Sequence, residues 1–197
     1  MSDSPSQRPG RLIDRAALPA GFPTHRPEPV FWEHLGRCVA AFGFLEWTLQ
    51  RAVFALTGDR PAPEDEEERR AALHSWTTDL EGTLRSTLSG LSRQFEAAAA
   101  AHPTANSTHA SAVAQDIRDA SVFRNALCHA WWNPAGAAAA DPVFVNRELQ
   151  VMSGRIDIPW LVQTHSHVAA LACDVIDTIT DTGLPFPGGA PPDPEPG

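Results

Sequence analysis

Three polar side chains that could act together on a substrate stand close together in the segment FRNALCHAWW: Arg124, Asn125 and His129. At about 100° per residue, Asn125 and His129 lie about 40° apart around a helix, so they share one face, one turn apart. Arg124 lies farther round the helix, but its long side chain can bend toward the same point. An imidazole titrates near neutral pH and can therefore accept or release a proton during a reaction.

The other two side chains suit chemistry on phosphate. The guanidinium of Arg124 can hold a phosphate with a planar fork and stabilise the charge that develops on it. The amide of Asn125 can orient either neighbour or the substrate. Such a set favours attack by a ribose 2′-hydroxyl on the adjacent phosphodiester, which needs RNA because DNA lacks that hydroxyl. The same spacing also fits a buried polar contact or a capping set, so a structural role stays open on chemistry alone.

Long amphipathic helices must position these residues. Apolar residues recurring every three or four positions predict four helices, at residues 29–57, 66–101, 107–132 and 159–182. The third helix carries the motif near its end. Gly82 and Gly90 weaken the second helix, which is therefore predicted to be bent or split. The apolar stripe expected on the second helix consists of Leu73, Trp76, Leu80, Leu84, Leu88, Leu91 and Phe95.

Between the last two helices the pattern changes to short extended runs. Residues 135–140 are small and are predicted to form a loop, whereas 143–145 and 155–158 are predicted to pair as a β-hairpin around Ser153-Gly154. The predicted fold class is mainly α: an antiparallel four- to five-helix bundle with this small β-hairpin inserted between the last two long helices.

The ends of the chain differ in composition from its middle. Residues 1–28 are rich in Pro, Ser, Gly and Arg and are predicted to be a flexible arm. Residues 184–197 form a Pro/Gly-rich tail, which is predicted to be disordered because proline cannot continue a helix or a central strand. The helical domain is therefore predicted to span 29–183.

The charge pattern limits how the protein can meet nucleic acid. The formal net charge is −9, which argues against coating nucleic acid by bulk electrostatics. Five of the negative charges fall in one run, residues 64–68. A local basic site is still compatible with the rest of the surface, but a general basic groove is not.

Composition also predicts the compartment. No stretch reaches the roughly 18 to 20 uncharged apolar residues of a membrane span, and the N-terminus lacks the apolar centre of a signal peptide. We therefore expect a cytoplasmic protein without a membrane partner. Cys38, Cys128 and Cys173 are odd in number and form no C-x-x-C pair, which argues against a disulfide framework or a cysteine zinc site. Each is expected to be a small buried hydrophobe.

No metal or cofactor is expected. His165 and His167 with Asp174 invite a metal site, but histidines two apart on a helix point to different sides. No H-E-x-x-H pattern occurs.

The motif segment resembles the R-x(4–6)-H signature of the HEPN superfamily, in the form in which a polar residue, often Asn, follows the Arg. The matching positions are Arg124, Asn125 and His129. The order of helices over about 29–182 is also similar, although only the motif is specific. The resemblance implies a metal-independent endoribonuclease, of the kind found in toxin–antitoxin pairs and anti-phage defence. It implies a homodimer in which the two motif helices form one composite cleft.

Carried onto this chain, the resemblance implies that His129 is a general acid or base, that Arg124 binds the scissile phosphate and that Asn125 positions them. The implied partners are an RNA substrate, a second copy, and an antitoxin or regulatory protein. In one toxin branch a tyrosine two residues after the histidine is modified by a partner nucleotidyltransferase. Trp131 stands there in this sequence, which contains no tyrosine, so silencing of that kind is not expected.

Two further residues are candidates for a supporting role. Glu46 lies one residue after the stripe of the first helix and could orient His129, pair with Arg124, or be an exposed boundary carboxylate. Trp131, with Trp132, could stack on an unpaired base or pack in the core or in a dimer contact.

Two other functions stay open beside the ribonuclease. One is a non-catalytic HEPN-like module in which the motif binds a nucleotide or a protein. The other is a purely structural dimeric helical protein.

Overall fold

The computed structural model describes residues 14–145, 151–152 and 154–188. A short 3-10 turn, Arg15–Ala17, precedes five α-helices: α1 Pro29–Gly58, α2 Glu66–Leu84, α3 Leu88–Ala101, α4 Ser107–His129 and α5 Ile158–Thr180. Four short strands lie between α4 and α5 within the described residues: β1 Trp131–Pro134, β2 Ala139–Val145, β3 Val151–Met152 and β4 Ile156–Asp157. The prediction of a mainly helical chain is confirmed, and the insert between the last two long helices is a small antiparallel sheet in place of the predicted β-hairpin.

The core is built around α1. This helix packs most extensively against α5 and also contacts α3 and α4, which pack closely on each other. Its apolar stripe is buried as predicted, because residues three and four apart on a helix share one face. The buried positions of the stripe are Phe31, Leu35, Cys38, Phe42, Leu45, Leu49, Ala52 and Leu56. Residues of α3 and α4 complete this core around Phe95 and Ile117, both fully buried.

The second predicted helix is split into α2 and α3. Thr87 caps α3, since its Oγ1 accepts a hydrogen bond from the Gly90 N–H at 3.2 Å. Beyond this break α2 leaves the core, and of its residues only Thr83 is buried. The first half of the predicted stripe does not face the core as expected, since Leu73 and Leu84 are 59% and 65% exposed.

One aromatic side chain connects α2 to α1. The Trp76 indole donates to Thr57 Oγ1 at 2.9 Å and lies against the Phe54 ring, with a centroid distance of 5.3 Å.

The motif helix ends earlier than predicted. α4 stops at His129 rather than Trp132, and Ala130 is already extended. Bulky aromatic residues favour strands, and here Trp132 turns back onto Phe31 and Trp32, with centroids 5.7 and 6.5 Å away.

The strand pairing also differs from the predicted hairpin. β1 pairs antiparallel with β2, so the predicted loop at 135–140 is wrong for its last two residues, which begin β2. β2 pairs with β3 through Phe144 and Met152, and with β4 through Ala140 and Ile156. The residues 143–145 therefore do not pair with 155–158 as predicted, and Ile158 already belongs to α5.

Residues just before and just after the predicted helical domain pack against it. Before α1, the Pro27 carbonyl accepts a hydrogen bond from the Trp32 indole at 3.2 Å. After α5, Leu184 and Phe186 pack against the core, and Arg51 Nη1 donates to the Pro187 carbonyl at 3.1 Å. Residues 1–13 of the predicted arm and 189–197 of the predicted tail lie outside the described residues, and the boundaries at 28/29 and 183/184 stay predictions.

α1 has the length and mean hydropathy of a helix that could cross a membrane, near the N-terminus of the chain. Core helices of globular proteins meet the same criteria, and the apolar face of α1 is buried by its neighbours. The expected absence of a membrane partner stays a prediction.

The three cysteines are free but differ in exposure. Cys38 is buried and its Sγ–H donates to the Leu161 carbonyl at 3.0 Å. Burial raises the pKa of the Cys38 thiol to about 11, although a backbone hydrogen bond with His165 acts in the opposite direction. Cys128 and Cys173 are exposed. The expectation that all three are buried is therefore wrong for these two, because each faces outward from its helix.

We expect the native protein to show two fast-reacting thiols when it is titrated with a coloured thiol reagent at about pH 8. Cys38 should react only after unfolding, because it is both protonated at that pH and shielded from the reagent. A Cys128→Ser/Cys173→Ser variant should show no fast thiol and a single one in denaturant. Three fast thiols in the native wild type would contradict the burial of Cys38.

Candidate functional site

The motif occupies the last turns of α4, with its apolar and polar residues on opposite sides. Ala126 and Leu127 are buried and fix the rotation of the helix against the core. Asn125 and His129 are exposed on the other side, one turn apart, as the helical spacing predicts. The site is therefore open to a large substrate, because neither polar group is enclosed in the bundle.

An ion pair joins the motif to α1. Arg124 Nε donates to Glu46 Oε1 at 3.0 Å, and the two side chains are 30% and 26% exposed. Arg124 Nη1 also makes a longer contact of 3.5 Å with Asn125 Oδ1. Of the alternatives predicted for Glu46, the structure has the pairing with Arg124. No hydrogen bond joins Glu46 to His129 among the described residues.

These four side chains line one cavity of about 820 Å³. That volume lies within the range of about 300–1,000 Å³ that is typical of ligand sites. We call this cavity the motif cleft. Its lining comes from α1, α4, the junction between α2 and α3, the start of α3 and the end of β2: Glu46, Arg85, Ser86, Thr87, Leu88, Ser89, Ser121, Val122, Arg124, Asn125, His129, Phe144 and Val145.

The α2–α3 junction, residues 85–87, lies beside the motif, and this placement was not predicted from the sequence. The low helix propensity of Gly82 and Gly90 indicated a break between them. Helical spacing alone does not indicate which distant residues lie beside such a break. The junction brings in a second cation, since Arg85 lines the same cleft as Arg124.

The charges of the motif cleft differ from those of the whole protein. Two guanidiniums, those of Arg85 and Arg124, and one imidazole line it beside a single carboxylate, Glu46. The acidic run at 64–68 lies at the opposite end of α2, about 28 Å away at 1.5 Å per residue. That distance exceeds the Debye length of about 8 Å at physiological salt, so the run is largely screened from the cleft. The cleft is a local basic site in a protein of net charge −9.

A polar cluster fixes α4 against α3 nearer the N-terminal end of α4 than the motif. Arg118 Nη1 donates to Glu96 Oε2 at 2.8 Å, and the Ser111 hydroxyl donates to Glu96 Oε1. The hydrogen bond from Ser111, followed by that from Arg118, lowers the pKa of Glu96. These bonds help to hold the motif helix and the junction at one relative position.

The aromatic candidates lie away from the cleft lining. Trp131 begins β1 and is 63% exposed, whereas Trp132 packs against the core. Neither lines the motif cleft within the part of the chain that the structure describes. A role for Trp131 in contacting a substrate or a second copy therefore stays a prediction.

No group of three or more His, Cys, Asp or Glu side chains suited to a metal ion occurs among the residues described. His165, His167 and Asp174 therefore do not form such a group. Searches of protein-family models, of curated proteins and of solved structures find nothing that matches this chain.

Proposed function

We propose that this protein is a metal-independent endoribonuclease of the HEPN type. The observation that carries the proposal is that Arg124, Asn125 and His129 line one open cleft together with Glu46. A set kept only for packing would be expected inside the bundle, whereas Asn125 and His129 are exposed. The bundle with its motif near the end of a late helix supports the same proposal.

The proposed reaction needs no group beyond the protein and the RNA. The ribose 2′-oxygen attacks the adjacent phosphorus, and the bond from phosphorus to the 5′-oxygen breaks. One proton leaves the 2′-hydroxyl and one is delivered to the departing 5′-oxygen, which leaves a 2′,3′-cyclic phosphate and a 5′-hydroxyl. His129 acts as a general acid or base, Arg124 stabilises the charge on the phosphate, and Asn125 positions them.

We further propose that the active form is a homodimer with a composite cleft. Val122 and Val145 line the motif cleft and are 54% and 50% exposed, and a second copy placed there would remove them from water. With a second His129 in the cleft, one imidazole can accept the proton of the 2′-hydroxyl while the other donates a proton to the departing 5′-oxygen. Through the resemblance, the proposal includes a cytoplasmic role in a toxin–antitoxin pair or in anti-phage defence, with an antitoxin or regulatory partner.

The direct test is incubation of the purified full chain with total RNA in excess EDTA. We expect cleavage at an unchanged rate after chelation, because protein side chains alone carry the chemistry. The new ends should be 2′,3′-cyclic phosphates or their 3′-phosphate products, together with 5′-hydroxyls. Cleavage that EDTA abolishes and Mg²⁺ restores, or that leaves 5′-phosphates, would contradict the proposed mechanism.

A non-catalytic binding module is the second candidate, and one observation favours it. The Arg124–Glu46 ion pair joins α1 to α4, so these two residues also have a structural function. On this alternative, or on that of a purely structural dimer, changing Arg124 would lower the melting temperature and RNA would stay intact with every variant.

A further inference from the structure

Arg85 is the cation of the motif cleft that is least engaged by the protein. Its nearest acidic partner among the described residues is Glu81, with Nη2 and Oε2 4.0 Å apart and the side chains 81% and 63% exposed. An exposed pair at this distance contributes little free energy. Glu81 does not line the cleft, whereas Arg85 does. The Arg85 guanidinium can therefore exchange this partner for a phosphate at small cost.

Arg124 differs from Arg85 in this respect. Its hydrogen bonds to described residues use Nε and Nη1, and the carboxylate of Glu46 offsets its charge. Outside the motif, the residue whose positive charge lines the cleft and can bind a polyanion is therefore Arg85. An RNA strand presents one phosphate per nucleotide, so a strand held at Arg124 brings a second phosphate near.

The junction that carries Arg85 is held in place by its own hydrogen bonds. Ser86 Oγ donates to the Gly82 carbonyl at 3.0 Å and accepts from Gln94 Nε2 at 2.9 Å. Thr87 is occupied in capping α3. The hydroxyls that line this side of the cleft are thus engaged within the protein. Through Gly82 and Gln94 they connect the end of α2, from which the Arg85 side chain extends, to α3.

From these observations we infer that Arg85 is a substrate-positioning residue, which binds a backbone phosphate of single-stranded RNA next to the scissile one. This inference rests on the proposed function and adds a second point of attachment to it. Phosphate contacts position a strand without reading its sequence. Arg85 should therefore affect binding and KM for RNA of any sequence and should leave the chemical step unchanged.

The test compares Arg85→Gln with Arg70→Gln in binding to a single-stranded 2′-O-methyl RNA oligonucleotide, which lacks the attacking hydroxyl and stays intact. Arg70 is a matched control, because it lies on α2, pairs with Glu66 four residues away and is similarly exposed, but does not line the cleft. We expect Arg85→Gln to weaken binding about 5- to 10-fold at low salt, the scale of one charge-assisted hydrogen bond on an open surface.

The salt dependence separates a phosphate contact from a general change of charge. Plotted as log K against log salt, Arg85→Gln should lose about 0.7 of slope, the value for one phosphate of a single strand. Arg70→Gln should keep the wild-type slope, and Arg85→Lys should restore most of it. The inference would be overturned by an equal loss of affinity in both glutamine variants or by unchanged affinity in Arg85→Gln. A wild type that does not bind the oligonucleotide would overturn it as well.

Cleavage assays distinguish a failure of the proposed role of Arg85 from a failure of the proposed ribonuclease activity. With cleavable RNA, Arg85→Gln should raise KM and leave kcat within about twofold, as expected when binding is lost equally in the ground and transition states. Active protein with an unchanged KM in Arg85→Gln would overturn the role of Arg85 and leave the ribonuclease standing. Binding that depends on Arg85 in a protein that never cleaves RNA would overturn the ribonuclease alone.

Discussion

His129→Ala is expected to lower the rate of RNA cleavage by about 10²- to 10⁴-fold, the contribution that a positioned general acid or base typically makes. The loss should appear in kcat, because proton transfer belongs to the chemical step. The melting temperature should stay close to that of the wild type, since His129 is exposed and the helix is anchored by Ala126 and Leu127. Single-turnover cleavage and thermal unfolding measure the two effects.

His109→Ala is the matched control for this experiment. His109 is an exposed histidine on the same helix, about 30 Å from His129 at 1.5 Å per residue. Its backbone N–H, not its ring, takes part in the cap of α4, so alanine keeps that hydrogen bond. His109→Ala should cleave at the wild-type rate. Wild-type cleavage by His129→Ala would remove His129 from the site.

Arg124→Ala is expected to lower kcat/KM for RNA by about 10²- to 10³-fold, the usual effect of deleting one group that stabilises a charged transition state. Unlike His129→Ala, it should also lower the melting temperature. The reason is that Glu46, whose side chain is only 26% exposed, loses its ion-pair partner. The measurements are steady-state cleavage and thermal unfolding of the same preparations.

A double-mutant cycle with Glu46→Gln separates the catalytic from the structural part of this effect. In stability, the two changes should be non-additive, because either one removes the same ion pair. The two variants should differ in kcat/KM for RNA. Glu46→Gln keeps the guanidinium, so its kcat/KM should fall less than about tenfold, whereas Arg124→Ala removes the proposed phosphate-binding group and should fall further. If both single variants lose stability equally and cleave RNA as fast as the wild type, Arg124 serves the fold alone.

The sequence was informative where a single helix determines the result. Eight residues of α1 repeat at helical spacing, and all eight are buried because any helix with that pattern places them on one face. The same periodicity explains why Asn125 and His129 share an exposed side of α4. Glu46 was identified as a candidate because it lies just beside the buried stripe, where its side chain can reach a neighbouring helix.

Features that depend on distant parts of the chain were not predicted. The sequence pattern of α2 resembles a core-facing stripe, but the core is formed by α1 with α3, α4 and α5, and Leu73 and Leu84 of α2 are left in water. Trp131 and Trp132 fit the end of a helix as well as a strand, and only pairing with β2 decides between them. Arg85 belongs to the motif cleft through tertiary packing, about 40 residues away along the chain.

The weak attachment of α2 has a consequence for the order in which the molecule opens. An element that buries a single residue can detach locally at a small fraction of the global unfolding free energy, and its amide protons then exchange with solvent early. Thr87 caps α3, which is anchored by Phe95 in the core. The boundary between a loosely held and a firmly held cooperative unit therefore falls at the residues beside the motif cleft. Arg85 stands at the loose side of that boundary, two residues from a point that stays fixed when α2 detaches.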